Sequence, residues 1–139
     1  MLVYNKYLKE LGYKKNEFPF EEKDGRYKLM KKYGVVEAQT WNLYNTIILE
    51  LYTYLRFFQE CCPKGIPGPF IDDSKPDDGL ADFQKVVQEI IDGLKAYIEL
   101  ENLEYSSDIK ATKKKQKELE KKFEKGWSLL GKYLGCFWW

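Results

Sequence analysis

The sequence predicts an all-α fold, an antiparallel bundle of three long helices with a short-helix segment before it. Three observations predict it. Apolar residues recur at alternating threes and fours over three stretches, near residues 40–62, 79–101 and 108–136. Capping residues and Gly-Pro breaks separate those stretches. Nowhere do more than a few residues alternate as a strand would. At 139 residues the chain is expected to form one helical domain, with short helices over 1–35 and the bundle over 36–139.

The first short helix is read from Tyr4, Tyr7, Leu8 and Leu11 at helical spacing, with Gly12 suited to a left-handed C-terminal position. Phe18-Pro19-Phe20 reads as an extended turn. A second short helix is expected over 24–33, with Tyr27, Met30 and Tyr33 on one side and Gly34 ending it.

The first long helix begins where Thr40 can cap it. Trp41, Tyr44, Ile48, Leu51, Leu55, Phe58 and Cys62 mark its seam, widened by Ile47 and Tyr54. At 1.5 Å per residue it is about 30 Å long. Pro63, Pro67, Pro69 and Pro76, with Gly65, Gly68 and Gly79, then make a loop that excludes helix.

Asp77 or Asp78 can cap the second long helix, whose seam is Leu80, Phe83, Val87, Ile90, Leu94 and Tyr97, with Val86, Ile91 and Ile98 beside it. Gly93 inside it costs about 1 kcal/mol relative to alanine, so a close-packed neighbour is expected there. Ser106, Ser107 or Asp108 can cap the third, which carries Ile109, Leu119, Phe123, Leu130, Tyr133 and Phe137. Its first half is nearly all polar and is expected to lie on the surface or project past the core.

Composition bounds the chemistry. There is no histidine, which removes histidine-based general bases, the Ser-His and Cys-His pairs and almost every catalytic zinc site. It also predicts flat behaviour between about pH 6 and 8. Cys61, Cys62 and Cys136 are odd in number and lack metal-ligand spacing, so a reduced, cytoplasmic setting is expected. No signal peptide and no apolar run of about 20 residues is recognisable, so no membrane partner is expected. The net charge of +1 gives no whole-molecule attraction to nucleic acid, which is not the expected partner. Aromatic content is high, with 11 Tyr, 8 Phe and 4 Trp.

Candidate sites each have a functional and a plain reading. The acidic loop with Asp72, Asp73, Asp77 and Asp78 could hold a divalent cation, but it fails the EF-hand pattern, and turn and capping chemistry account for it. Lys64-Gly65-Ile66-Pro67-Gly68-Pro69 is no phosphate loop, because Pro67 and Pro69 lack the N–H groups one needs. Lys110, Lys113, Lys114, Lys115, Lys117, Lys121, Lys122 and Lys125 form a basic helix half, diluted by Glu118, Glu120 and Glu124; a solvated face is the simpler account and an anion-contacting surface the other.

Aromatics and cations form the remaining candidate set: Trp41, Asn42, Tyr44, Arg56, Lys132, Trp138 and Trp139 as ligand-binding residues. Rings can stack on a base, and Arg or Lys can hold phosphate; core filling is the plain reading. Trp138 and Trp139 either dock into the core or meet a partner; docking predicts a cost of about 3–5 kcal/mol on their deletion.

Two stretches carry a resemblance. Tyr33-Gly34-Val35-Val36-Glu37-Ala38-Gln39-Thr40-Trp41-Asn42-Leu43, followed by Leu55-Arg56-Phe57-Phe58, resembles the centre of a family of small helical bacteriophage and prophage proteins with a Trp-x-Leu motif. Gly126-Trp127-Ser128-Leu129-Leu130-Gly131-Lys132-Tyr133 with Trp138-Trp139 is similar to their C-termini. Those proteins often have an acidic residue near the Trp-x-Leu start, where this chain has Tyr44 and Asn45. The resemblance implies a mobile-element origin and a helical protein of the host cytoplasm, and brings no activity with it.

Three functions follow as expectations. The first is a non-enzymatic protein that sequesters a nucleotide signal of bacterial immunity, a cyclic oligonucleotide or an ADP-ribose derivative, and needs no cofactor. The second is a module that inhibits or recruits a host protein through a helical face. The third is a metal-dependent enzyme using carboxylates among Glu50, Asp72, Asp73, Glu99 and Glu101, of which no spacing singles out a pair. The wide apolar faces also leave room for a homo-oligomer.

Overall fold

The computed structural model describes residues 4–15, 28, 31–33, 42–61, 65–71, 74, 78–104 and 106–137. Among these, every regular element is helical. Helix α1 is Lys6–Glu10, α2 is Leu43–Cys61, α3 is Asp78–Glu101 and α4 is Ile109–Tyr133, with single 3-10 turns at Gly68–Phe70 and Leu134–Cys136. The chain divides into two compact units, Met1–Thr53 and Tyr54–Trp139.

In the first unit, Asn5 caps α1: its Oδ1 accepts from the N–H groups of Tyr7 at 3.0 Å and Leu8 at 3.2 Å. The Asn5 Nδ2 donates to Thr53 Oγ1 at 3.5 Å, tying the cap to α2. Tyr7 and Leu8 are buried. The helix stops at Gly12, whose φ of 91° is the left-handed conformation the sequence led us to expect. Of the expected second short helix, residues 28 and 31–33 are helical and Tyr33 is exposed; its remaining positions lie outside the described residues.

Helix α2 starts later than Thr40 would start it. Asn42 stands just before it and accepts from the Thr46 N–H at 3.0 Å. Thr40 itself lies outside the described residues. The buried stripe of α2 is Ile48, Leu49, Tyr52 and Leu55, whereas Tyr44, Ile47 and Tyr54 are exposed. The real seam is thus turned by roughly 70° from the expected one. Apolar residues occupy both shoulders of this helix, so spacing alone could not choose the inward side.

In the second unit α3 and α4 form an antiparallel hairpin. Tyr97 packs on Phe123, Gly93 meets Gly126, Glu89 pairs with Lys125 at 2.8 Å and Phe83 packs on Phe137, so position rises along one helix as it falls along the other. Phe83, Val87, Ile90, Ile91, Leu94 and Ile98 are buried as the α3 pattern predicts, and Ala96 joins them. The expected close neighbour of Gly93 is Gly126: a Cβ on Gly93 would lie 2.7 Å from its Cα.

Asp108 is the cap of α4, accepting from the Ala111 N–H at 3.0 Å. Continuing the hairpin register sets the end of α3 near residue 119, so the first turns of α4 run past α3. Thr112 is the one buried side chain in those turns, held by Asp108 O and Ser106 Oγ, both at 3.0 Å. Ile109, expected on the seam, is 62% exposed because no part of α3 reaches it. Among the described residues no helix is long and apolar enough to cross a membrane.

A candidate ligand groove

Five aromatic residues of the second unit gather at one end of the hairpin. Phe83, near the start of α3, packs on Phe58 of α2 at 5.9 Å between centroids, on Phe70 at 5.1 Å and on Phe137 at 5.7 Å. Phe70 also packs on Tyr133 at 5.0 Å, and Phe58 on Phe137 at 5.2 Å. Two of these pairs are edge-on, an arrangement favoured by ring quadrupoles, and three are tilted.

The Gly-Pro loop is pinned against this cluster. Although the loop was expected to exclude helix, Gly68–Phe70 makes a 3-10 turn closed by Phe70 N–H to Pro67 O at 2.9 Å, because a proline is tolerated in a first helical turn. Gly79, in the first turn of α3, lies so close beneath it that a Cβ there would collide with the Phe70 carbonyl oxygen. Glycine is therefore required at 79 by close approach of backbone.

Between this loop and the turn after α4 lies a cavity of about 700 Å3. Its apolar wall includes Phe58, Ile66, Pro67, Pro69 and Phe83, and Lys132 and Cys136 face it from the end of α4. A volume of this size falls within the range of small-molecule sites. Lys132 is its charged residue; its Nζ sits 4.9 Å from the Tyr133 ring centroid, and its place in the last turn of α4 also offsets the helix dipole. Cys136 is a half-buried free thiol. The groove thus offers an apolar wall beside one cation.

The sequence-predicted residues divide. Lys132 lines the groove. Arg56 is half-buried in the same unit, on α2, but is not among the lining residues. Asn42 and Tyr44 are exposed in the first unit. Partial burial raises the Tyr44 hydroxyl pKa above its ordinary 10.0. Asn45 Oδ1, next in the chain, is buried with no hydrogen-bond partner among the described residues. Trp41, Trp138 and Trp139 lie outside the described residues. Phe58, Ile66, Phe83 and Cys136 were not read as site residues; Phe58 and Phe83 look like seam positions in sequence. The available signal was a proline-rich loop adjoining an aromatic helix end.

Asp72, Asp73 and Asp77 of the acidic loop also lie outside the described residues. Among the described residues no three of His, Cys, Asp and Glu are grouped so as to hold a metal ion. Glu50 is half-buried on α2, and Glu99 and Glu101 are exposed on α3. Compared with known families, curated proteins and solved structures, the chain matches none.

Proposed function

We propose that the protein binds rather than reacts, and that its ligand is a nucleotide seated in the groove of the second unit. The observation that carries this reading is Lys132 at the mouth of an apolar cavity walled by Phe58, Ile66 and two prolines. A base packs against the half-buried Phe58 ring and the proline faces, and a phosphate takes the lysine. Resemblance to phage proteins supports a nucleotide signal of bacterial immunity as the ligand, a cyclic oligonucleotide or ADP-ribose derivative withdrawn from solution to blunt host defence. The proposed architecture for the whole chain is the antiparallel three-helix bundle, supported by a buried stripe on each long helix.

Mass spectrometry of small molecules released from the heated protein tests this directly. A nucleotide is expected, together with slowed alkylation of Cys136 when that nucleotide is added back. The Lys132→Ala variant should bind about 10- to 100-fold more weakly, the range for a hydrogen bond to a charged group. No depletion of any nucleotide from a panel, with Cys136 alkylated at an unchanged rate, overturns the reading.

A second reading rests on a separate observation. Tyr54 and Phe57, three residues apart on α2, are 60% and 52% exposed. Such a pair suits a helical partner, either a host protein or a second copy. Enrichment of one host protein by the wild-type chain and not by the Tyr54→Ser/Phe57→Ser variant would favour it.

A further inference from the structure

Helix α4 carries an ordered line of cations whose last member, Lys132, also lines the groove. Lys110, Lys114, Lys117, Lys121, Lys125 and Lys132 follow a 4-3-4-4-7 spacing, with the neutral Ser128 completing the 3-4 rhythm. At 3.6 residues per turn these positions stay within roughly 80° of arc over about 33 Å of helix. The buried residues Thr112, Leu119, Gly126 and Leu130 occupy the opposite side, and every lysine of the line is exposed. Lys125 is drawn to Glu89 at 2.8 Å. Among the described residues no ion pair engages Lys110, Lys114, Lys117 or Lys121.

A merely solvated face gains from alternating signs, because like charges at i,i+4 oppose helix formation. This line places lysine against lysine at 110/114, 117/121 and 121/125. Its carboxylates, Glu118, Glu120 and Glu124, stand on the flanks, three or four residues from Lys114, Lys117 and Lys121. The first turns of the line lie on the part of α4 that runs past α3. The whole-chain charge of +1 averages this segregation away.

From this we infer that the α4 lysine line binds the sugar-phosphate backbone of single-stranded nucleic acid, without base preference. Cβ atoms about 5–6 Å apart along the line give one narrow row of phosphate contacts. The flanking glutamates repel a second strand. Lysines supply point charges to phosphate and lack the planar fork with which arginine reads guanine. The stretch Lys110, Lys114, Lys117 and Lys121 lies outside the groove lining, so this surface stands whether or not the groove takes a nucleotide.

The test is fluorescence anisotropy of a labelled oligo-dT of about 20 nucleotides, read between 50 and 200 mM salt. Five lysines in contact predict a log–log slope of about −3.5, and so roughly a hundredfold loss of affinity over that range. Two variants remove the same charge from different places. Lys114→Gln/Lys117→Gln/Lys121→Gln, on the line, should make the slope shallower by about 2. Lys113→Gln/Lys115→Gln/Lys122→Gln, off the line, should leave it unchanged. All six positions are exposed, and circular dichroism verifies that both variants fold. Equal losses in the two variants, tighter binding of duplex, or equal competition by polyglutamate each overturn the proposal, as does no binding at 50 mM salt.

Discussion

Gly93 and Gly126 stand face to face across the α3–α4 hairpin. A Cβ on either would come within 2.7–2.8 Å of the other's Cα and 3.0 Å of a backbone carbonyl oxygen, Lys122 O or Glu89 O. Backbone cannot step aside as a side chain can. Alanine at either position gains about 1 kcal/mol of helix propensity, yet it forces the helices apart and strips contacts from the core on both sides. Gly93→Ala and Gly126→Ala are each expected to destabilise by about 1–3 kcal/mol net. Gly131→Ala is the control: it lies in the same helix with nothing within 4 Å of its Cβ position, and should stabilise by about 0.5–1 kcal/mol. Urea midpoints at constant m would measure all three, and stabilisation by all three would refute the close-contact account.

The start of α4 depends on two local devices that share one residue. Asp108 Oδ1 caps the Ala111 N–H, while Asp108 O accepts from the Thr112 hydroxyl. Asp108→Ala is expected to cost about 1 kcal/mol as a lost cap. Thr112→Val keeps the volume but loses the hydroxyl shared with Ser106, at a further cost of about 1 kcal/mol. Because the two sites touch, the double variant should cost less than the sum. Strict additivity in chemical denaturation would show that the sites act independently.

How far the sequence could be read depends on how one-sided each helix is. Helix α3 has its apolar residues on one face and Asp82, Lys85, Gln88, Asp92, Lys95 and Glu99 outside, so its buried stripe and the close approach at Gly93 were both legible. Helix α2 has Leu43, Ile47, Tyr54 and Phe57 on the side that turned out exposed, so periodicity misplaced its seam. Thr112 was missed because its burial rests on a hydroxyl satisfied by neighbours, which no hydropathy pattern records. Lys132 could be picked out as a cation near the aromatic C-terminal stretch. The groove it faces could not, since that space exists only where the Gly65–Pro69 loop and the Leu134–Cys136 turn stand apart in three dimensions.

Asn45 exposes a different weakness of the first unit. Its Oδ1 is buried without a partner among the described residues, which typically costs about 1–3 kcal/mol. Leucine removes that acceptor and is the better helix former. Asn45→Leu is expected to stabilise by about 1 kcal/mol, whereas Asn45→Asp should destabilise by adding charge where the acceptor is already unsatisfied. Thermal melts of the pair are the check, and a stabilising Asn45→Asp would mean that a cation or donor reaches this position.

The Tyr44 hydroxyl provides the pH prediction. Desolvation disfavours its phenolate, so its pKa in the folded chain lies above the ordinary 10.0. Just above pH 10 the folded state therefore still holds a proton that the unfolded state has begun to lose. With more protons bound in the folded state, stability falls as pH rises through that window, and below it the contribution is fully present. With no histidine in the chain, the profile between about pH 6 and 8 should be flat. Phenolate absorbance of the wild type minus that of Tyr44→Phe isolates this one group among 11 tyrosines. The difference curve should turn above pH 10, and the loss of stability in that window should be smaller in Tyr44→Phe. A difference curve centred at or below pH 10 would mean that the ring is fully hydrated and contributes nothing to the alkaline limb.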